Sequence, residues 1–122
     1  MTHARQALGR DGEEAAARHL EALGWRIVER RFRAAGYEID LVAERDGVLA
    51  FVEVKTRRAG ALAPPAAAVD WRKQRRIAAA AHVAAARWGR TARAFRFDVV
   101  AVSWEAAGPV VEHFEDAFRL QA

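Results

Sequence analysis

Helical spacing of small and apolar residues opens the chain and predicts an amphipathic helix. From about Ala4 to Leu23 these residues fall within an arc of roughly 80° when each residue turns by about 100°. Gly24 follows at a position where glycine commonly ends a helix. The residues of this buried arc are Gly9, Gly12, Ala16, Leu20 and Leu23.

Strand-like alternation centres on residues 38–57 and predicts a β-hairpin. Two runs of apolar and β-branched residues flank Arg45-Asp46-Gly47, which contains the Asp-Gly pair typical of tight hairpin turns. Successive side chains of a strand point to opposite faces, so each run divides into two rows. The second strand places Leu49, Phe51, Glu53 and Lys55 on one face, and Val52 and Val54 on the other.

The other segments predict three further strands and a second long helix. Pro64-Pro65 precedes an alanine-rich segment and Gly89 follows it, as expected for the two ends of a helix. In chain order we expect a strand at Trp25–Phe32, loops at Ala34–Gly36 and Ala59–Pro65, the helix at Ala66–Trp88, a strand at Ala94–Trp104, a turn at Ala106–Pro109, a short strand at Val110–Phe114 and a helical or irregular segment at Glu115–Leu120.

The hairpin is expected to bring two carboxylates and an amine to one end of its strands. With the turn at Asp46-Gly47, Asp40 falls beside Glu53 and Lys55. Asp40 lies on the opposite face from a row of apolar residues. That row is Ile39, Leu41 and Ala43.

These residue types suit a divalent cation. Mg²⁺ prefers oxygen ligands and usually takes one or two carboxylates from a protein. Asp40 and Glu53 supply that pair, and the carbonyl of Val54 is a plausible third oxygen. Such an ion makes water a better nucleophile and stabilises charge on a phosphoryl oxygen. The alternative interpretation is an ordinary salt bridge between Glu53 and Lys55 at a sheet edge.

Lys55 is the candidate catalytic amine, which would orient or deprotonate the attacking water or neutralise charge on the phosphate. The chain has 20 basic residues besides histidine, and only Lys55 and Lys73 are lysines. Arginine does not replace lysine where a compact amine with an adjustable pKa is needed. The retention of Lys55 in so arginine-rich a chain therefore favours a required role.

Glu13 is a further candidate from the first helix. It lies about 20° beyond Leu20 and borders the buried arc, whereas Glu14 points nearly to the opposite side. Glu13 can thus reach inward as an additional ligand for the metal or for water. A carboxylate that complements the helix dipole is the equally good alternative.

Basic residues on both sides of the hairpin favour an anionic partner. The net charge is +4, and nucleic acid is the leading candidate, followed by acidic proteins. The arginines before the hairpin could instead protect an edge strand from pairing with another chain. The basic residues of the second helix could instead serve only to keep the protein soluble. The candidate nucleic-acid-binding residues are Arg30, Arg31, Arg33, Arg57, Arg72, Lys73 and Arg76.

Length and composition narrow the remaining classes. At 122 residues we expect a single domain, residues 1–122, large enough to bury one core. The absence of cysteine excludes disulfides, cysteine-based zinc sites and thiol nucleophiles. We find no run of about eighteen apolar residues and no secretory pattern, so we expect no membrane association and a cytoplasmic location. Phosphate-binding glycine loops and a nucleophile elbow are also missing.

Asp98 needs a partner because it lies among apolar residues in the middle of the strand predicted at Ala94–Trp104. An unpaired buried charge is costly, so we expect a nearby arginine rather than a metal role. The four histidines are scattered without ligand spacing and receive no function.

Taken together, these motifs resemble the PD-(D/E)xK nuclease superfamily, which has a restriction-endonuclease-like core. The order is a helix with Glu13, a strand with Asp40, then Glu53-Val54-Lys55. More closely, the chain resembles the YraN-like family of uncharacterised bacterial proteins, related to archaeal Holliday-junction resolvases. The matching segments are Gly9-x-x-Gly12-Glu13, Ala16, Leu20, Gly24, Glu38 to Ala43, Phe51 to Arg57, Ala68-Val69, Lys73 and Arg96 to Val100.

The resemblance implies an α/β fold, with a central mixed β-sheet flanked by α-helices, and a nuclease that uses Mg²⁺ or Mn²⁺. Asp40 and Glu53 would bind the metal, Lys55 would be the catalytic lysine, and Glu13 would be the helix carboxylate. The substrate would be DNA, including branched or repair and recombination intermediates, and a homodimer is expected by analogy with resolvases. The alternative is a catalytically silent module that keeps the fold and binds nucleic acid or a partner.

One position departs from the pattern of the family. Gly usually stands directly before Glu-Ile-Asp, whereas this chain has Tyr37 there, with Gly36 one place earlier. A bulky ring beside the metal-ligand strand is expected either to narrow the site or to stack on a base.

Overall fold

The structure, a computed structural model, describes residues 2–58 and 71–118 as two helices and one five-stranded sheet. The elements are α1 (Thr2–Ala22), β1 (Arg26–Ala34), β2 (Tyr37–Arg45), β3 (Val48–Arg58), α2 (Trp71–Trp88), β4 (Ala94–Glu105) and β5 (Gly108–Phe118). The strands are arranged in chain order, and only β3 and β4 are parallel among the paired neighbours. This mixed sheet with flanking helices confirms the predicted α/β, restriction-endonuclease-like fold.

The two helices cover opposite faces of the sheet and create two apolar cores. Ala16 and Leu20 of α1 pack with Leu41, Val52 and Val100, which share one face. Side chains on the other face meet α2. These are Val42, Leu49 and Phe51 of the sheet with Ala80, Ala81 and Ala84 of the helix. Small residues on both helices allow their backbones to approach the sheet closely, which brings both helices near the strands that carry the candidate site.

The central hairpin forms as predicted, with a two-residue turn between β2 and β3. Asp46 and Gly47 both have positive φ angles, 51° and 78°. Such a turn matches the right-handed twist of the strands, and Asp-Gly tolerates it well. Pairing runs from Arg45↔Val48 to Leu41↔Val52. The register therefore sets Asp40 next to the Glu53 end of β3, as the sequence indicated.

Gly12 fixes the position of α1 against β3. A Cβ atom at Gly12 would collide with Oγ1 of Thr56, so the helix can lie this close only with glycine at this position. Thr56 is adjacent in sequence to Lys55, and Glu13 is adjacent to Gly12. The close approach therefore brings the helix carboxylate to the strand that carries the candidate lysine.

The end of the sheet differs from the prediction. β5 extends over Gly108–Phe118, so the residues from Glu115 to Phe118 form strand and not a helical or irregular segment. Its pairing with β4 shifts between Phe97 and Val99, where Asp116 has a positive φ of 50°. This bulge hides the continuation of the strand from a simple alternation pattern.

The first strand also differs from its expected bounds. β1 continues through Ala34, so the expected loop at Ala34–Gly36 is a two-residue turn of Ala35 and Gly36. The predicted end of α2 at Trp88 is confirmed. The loop at 59–65 and the predicted helix start at Ala66 lie outside the described residues.

The alternation of β2 changes next to the candidate site. Leu41 and Ala43 pack in the core under α1, but Ile39 packs with Val42 in the core under α2. The prediction that Ile39, Leu41 and Ala43 form one row is therefore wrong for Ile39. The change falls at Asp40, where the regular ladder between β2 and β3 also ends.

Asp98 has the arginine partner that its burial required. Its side chain is 0% exposed, and both of its oxygens accept hydrogen bonds from Arg96, at 2.9 and 2.8 Å. His113 lies 2.7 Å from one oxygen, and the backbone N–H of Asp116 donates to the other. The network ties β4 to the bulge in β5, which gives Asp98 and His113 a structural role.

Within residues 2–58 and 71–118, neither helix combines the length and the apolar character that crossing a bilayer requires.

Candidate metal centre

The regular pairing of β2 with β3 gives way to a side-chain contact at Asp40. Ladder pairs are present as far as Leu41↔Val52. Beyond them, Oδ2 of Asp40 accepts a hydrogen bond of 2.8 Å from the backbone N–H of Val54. The carboxylate thus accepts from the backbone of β3, and this fixes its orientation at the end of the hairpin.

Three carboxylates from two elements converge at this point. Glu13 of α1 and Glu38 and Asp40 of β2 each offer an oxygen, and these oxygens lie within 4.8 Å of one another. Sequence reasoning identified Glu13 and Asp40 but missed Glu38 as a member of the site. The available signal was its spacing, since Glu38 precedes Asp40 by two residues on the same strand.

Glu53 lies beside this group on β3 and is held by Tyr37. Glu53 is only 9% exposed, and the Tyr37 hydroxyl donates a hydrogen bond of 2.7 Å to its Oε1 atom. Burial, followed by the hydrogen bond to Glu53, raises the pKa of Tyr37. The phenol therefore stays protonated and remains a donor to the carboxylate. The sequence had given Tyr37 no such role.

The accumulation of negative charge changes the acidity of Asp40. Burial raises the pKa of Asp40 to about 7, and the charge of Glu53 is the next largest cause. The charges of Glu13 and Glu38 act in the same direction, whereas the hydrogen bond from Val54 lowers the pKa. Near neutral pH the carboxyl group of Asp40 is therefore partly protonated.

Lys55 and Lys73, the two lysines of the chain, interact with each other at the site. Burial lowers the pKa of Lys55, and the neighbouring amine of Lys73 with its positive charge lowers it further. The charges of Glu53 and Asp40 oppose this change. Lys73 comes from α2, so the amine of Lys55 is surrounded by groups from β2, β3 and the second helix.

The arginines of β1 contact carboxylates around the site. Arg31 lies 3.2 Å from Glu13, and Arg30 lies 2.7 Å from Glu14. Arg33 lies 2.8 Å from Glu38, so each of these three arginines of β1 forms an ion pair with a carboxylate. The cavity beside these pairs has a volume of about 360 Å³. It is lined by Glu13, Glu14, Arg30, Arg31, Asp40 and Leu41.

The other basic candidates lie outside the carboxylate group. Arg57 follows Lys55 by two residues on β3 and is opposite Ser103 of β4. Arg72 and Arg76 are exposed on α2. The structure thus brings Glu13, Glu38 and Asp40 together. Arg57 lies further along β3, and Arg72 and Arg76 lie on α2.

Comparison with known proteins places the chain in a family. The sequence profile described as Uncharacterised protein family UPF0102 matches residues 12–102. The chain belongs to this family. The matched span begins at Gly12 and contains the candidate site residues from Glu13 to Arg76.

Family members from distant bacteria match nearly the whole chain. A UPF0102 protein of Anaeromyxobacter dehalogenans is 47% identical over 114 residues, which are 93% of this chain and 85% of that protein. A relative from Geobacter metallireducens is 40% identical over 98% of both chains. One from Rhodococcus jostii is 45% identical over 92% of this chain and 96% of its own length.

The carboxylates of Glu13, Glu38 and Asp40 fit a hard divalent cation. Every converging side chain offers an oxygen, the ligand type that Mg²⁺ and Mn²⁺ prefer. Burial and the neighbouring carboxylates raise the pKa of Asp40, and a cation between these oxygens would stabilise its charged form. Asp40 is anchored by Val54 and Glu53 by Tyr37, so both carboxylates are oriented before a ligand arrives.

Proposed function

We propose that the protein is a nuclease that uses Mg²⁺ or Mn²⁺ to hydrolyse phosphodiester bonds of DNA, including branched or repair and recombination intermediates. The observation that carries the proposal is the convergence of Glu13, Glu38 and Asp40 next to Glu53 and Lys55. A charged Asp40 is costly for a purely structural contact, because burial and then the charges of the neighbouring carboxylates raise its pKa. Perturbed groups of this kind are typical of functional sites.

The residues divide into ligands and a proton acceptor. Asp40 and Glu53 would hold the metal with the carbonyl of Val54, and Glu13 would complete the set as ligand to metal or water. The metal would stabilise negative charge on the phosphate and favour attack by water. Lys55 would take a proton from that water as the water oxygen bonds to phosphorus. The bond from phosphorus to the leaving oxygen breaks, and that oxygen keeps the electron pair and takes a proton from solvent. The lowered pKa of Lys55 favours it for this role over an exposed lysine.

Calorimetry with an isosteric variant tests the proposal. Mg²⁺ and Mn²⁺ would be titrated into the wild type and Asp40→Asn, and each protein would be incubated with flapped, branched, single-stranded and duplex DNA. Asparagine keeps an oxygen that can accept from Val54, so the hairpin is preserved. Glu44→Gln serves as the matched control, since Glu44 is on the same strand and pairs with Arg26 away from the site. Loss of metal binding and of cleavage in Asp40→Asn alone is the expected result.

A catalytically silent module that binds nucleic acid or a partner protein is the second candidate, and the contacts of the β1 arginines favour it. Arg31 and Arg33 already neutralise Glu13 and Glu38, as bound cations would. In that case DNA or a partner would bind equally well with and without Mg²⁺, and no DNA in the panel would be cut. The absence of metal binding by calorimetry, even with DNA present, would decide for this alternative.

A further inference from the structure

A hollow next to the candidate metal centre is formed by the β1–β2 turn and the ring of Tyr37. It has a volume of about 300 Å³ and is lined by Arg33, Gly36, Tyr37 and Glu38. Tyr37 is the sole tyrosine of the chain.

The rim of the hollow has a defined shape. Ala35 and Gly36 both have positive φ angles, 51° and 75°, and form the whole connection between two paired strands. A Cβ atom at Gly36 would have no neighbour within 4 Å, so the space above the turn is open. The ring of Tyr37 is held from below by its packing on the core under α2 and by its hydrogen bond to Glu53.

Two of the lining residues also belong to the candidate site. Glu38 is one of the three converging carboxylates, and the Tyr37 hydroxyl donates a hydrogen bond to Glu53. The hollow is therefore continuous with the place where a phosphodiester would be cut. Its chemistry differs from that of the carboxylate group, because Tyr37 and Arg33 line it together with Glu38.

We propose that this hollow receives an unpaired nucleobase of DNA, adjacent to the phosphodiester that is cut. The inference rests on the proposed nuclease function and specifies its substrate. An aromatic ring and an arginine plane are the surfaces on which proteins stack single bases, largely without regard to base identity. Glu38 and the backbone of the turn offer hydrogen-bonding groups to the edge of such a base.

The base has to be unpaired for a geometric reason. Within a duplex both faces of a base are covered by its neighbours, so a base reaches a protein pocket only after it leaves the stack. A flap, a bulge or the branch point of a junction supplies such a base without the cost of breaking a pair. The hollow thus selects DNA with local disruptions over continuous duplex.

Binding measurements in Ca²⁺, with intact DNA verified on gels, separate this inference from catalysis. A short duplex carrying one bulged 2-aminopurine would be compared with the same duplex fully paired. We expect the wild type to prefer the bulged duplex by about ten-fold, the order expected for stacking of one base. The 2-aminopurine fluorescence should fall on binding. Binding of both duplexes with equal affinity would overturn the inference.

Two variants of Tyr37 identify the contact. Tyr37→Phe keeps the ring and should keep the preference for the bulge, even though it loses the hydrogen bond to Glu53. Tyr37→Leu keeps apolar packing, loses the ring, and should bind both duplexes alike. A Tyr37→Leu protein that retains the full preference would exclude stacking on this residue. Arg26→Gln, at the far end of β1, is the control for loss of one positive charge.

A photocrosslink in the wild type tests the same contact without any substitution. A 5-iodouracil placed at the bulge should crosslink, on irradiation, to the peptide that contains Tyr37. A crosslink to a different part of the chain would overturn the inference while leaving the nuclease proposal intact. Failure of the wild type to bind any DNA would overturn both, and cleavage without preference for unpaired bases would overturn the inference alone.

Discussion

At the scale of single residues, the candidate site consists of carboxylates that are each held by a second group. Such outer contacts fix the orientation of ligands before an ion or substrate arrives. They also explain why charged groups tolerate one another here, since each repulsion is partly offset by a hydrogen bond or an ion pair. The pairs are Asp40 with the N–H of Val54, Glu53 with Tyr37, Glu13 with Arg31, and Glu38 with Arg33.

Asp40→Asn should make the metal-free protein more stable in a pH-dependent way. The folded pKa of Asp40, about 7, lies above its ordinary value of 3.8, so the folded state binds the proton more tightly than the unfolded state. The wild type therefore loses stability as pH rises from about 4 to about 7. Urea unfolding should show an advantage for the variant of about 4 kcal/mol at pH 8, shrinking toward pH 4.

Glu44→Gln is the control for this change, because Glu44 lies on the same strand and pairs with the exposed Arg26. Its stability relative to the wild type should not follow the same pH profile. An Asp40→Asn protein that is less stable than the wild type at pH 8 would contradict the account of repulsion at the site.

Asp98→Asn, unlike Asp40→Asn, should lower the free energy of unfolding near neutral pH. Burial alone would raise the pKa of Asp98, but hydrogen bonds with His113, Arg96 and the N–H of Asp116 outweigh it and lower the pKa to about 2. The stability from this group is therefore present above pH 4 and is lost as pH falls through about 2. Breaking a buried pair of this kind costs about 3 kcal/mol, measurable by urea unfolding at pH 7.

Asp116→Asn provides the comparison, since Asp116 is exposed and the substitution keeps the backbone N–H that donates to Asp98. Asparagine also accepts the positive φ at this position. Equal destabilisation by the two substitutions would argue against the buried network as the cause.

At the scale of elements, the position of α1 depends on one close approach. Replacing glycine by alanine inside a helix normally stabilises it by about 1 kcal/mol. At Gly12 the new methyl group would meet Oγ1 of Thr56, a short β-branched side chain with few rotamers to escape into. The collision should therefore outweigh the gain in helix propensity.

We expect Gly12→Ala to destabilise the fold by about 1–3 kcal/mol and to weaken Mg²⁺ binding, because Glu13 moves with the helix. Thermal unfolding and calorimetry measure the two effects. A double variant with Thr56→Ala should recover part of the stability, since it removes the atom that collides. Full stability of Gly12→Ala alone would show that α1 adjusts freely on the sheet.

The elements that the sequence predicted well are those whose determinants are local. The turn at Asp46-Gly47 and the end of α1 before Gly24 depend on residues that prefer those backbone angles wherever they occur. The extension of β5 depends on Asp98, which holds the N–H of Asp116 from another strand. The convergence of Glu38 with Glu13 likewise depends on packing between distant segments.

At the scale of the whole molecule, the site lies where elements from both faces of the sheet come together. Glu13 comes from α1 on one face, and Lys73 comes from α2, which covers the other face. The arginines of β1 and those of α2 therefore flank the same end of the hairpin from two sides. With a net charge of +4, this arrangement suits a polyanion that extends across the site.

The salt dependence of DNA binding tests whether both sides contact the same DNA. Each phosphate contact contributes about 0.9 to the slope of log K against log salt. Arg30→Gln on β1 and Arg72→Gln on α2 should each reduce the slope by about this amount in Ca²⁺. The double variant should show the sum of both reductions, because the contacts are separate, whereas Arg26→Gln at the far end of β1 should leave the slope unchanged. If only one of the two substitutions reduced the salt slope, the DNA would contact only the side of the site that carries that arginine.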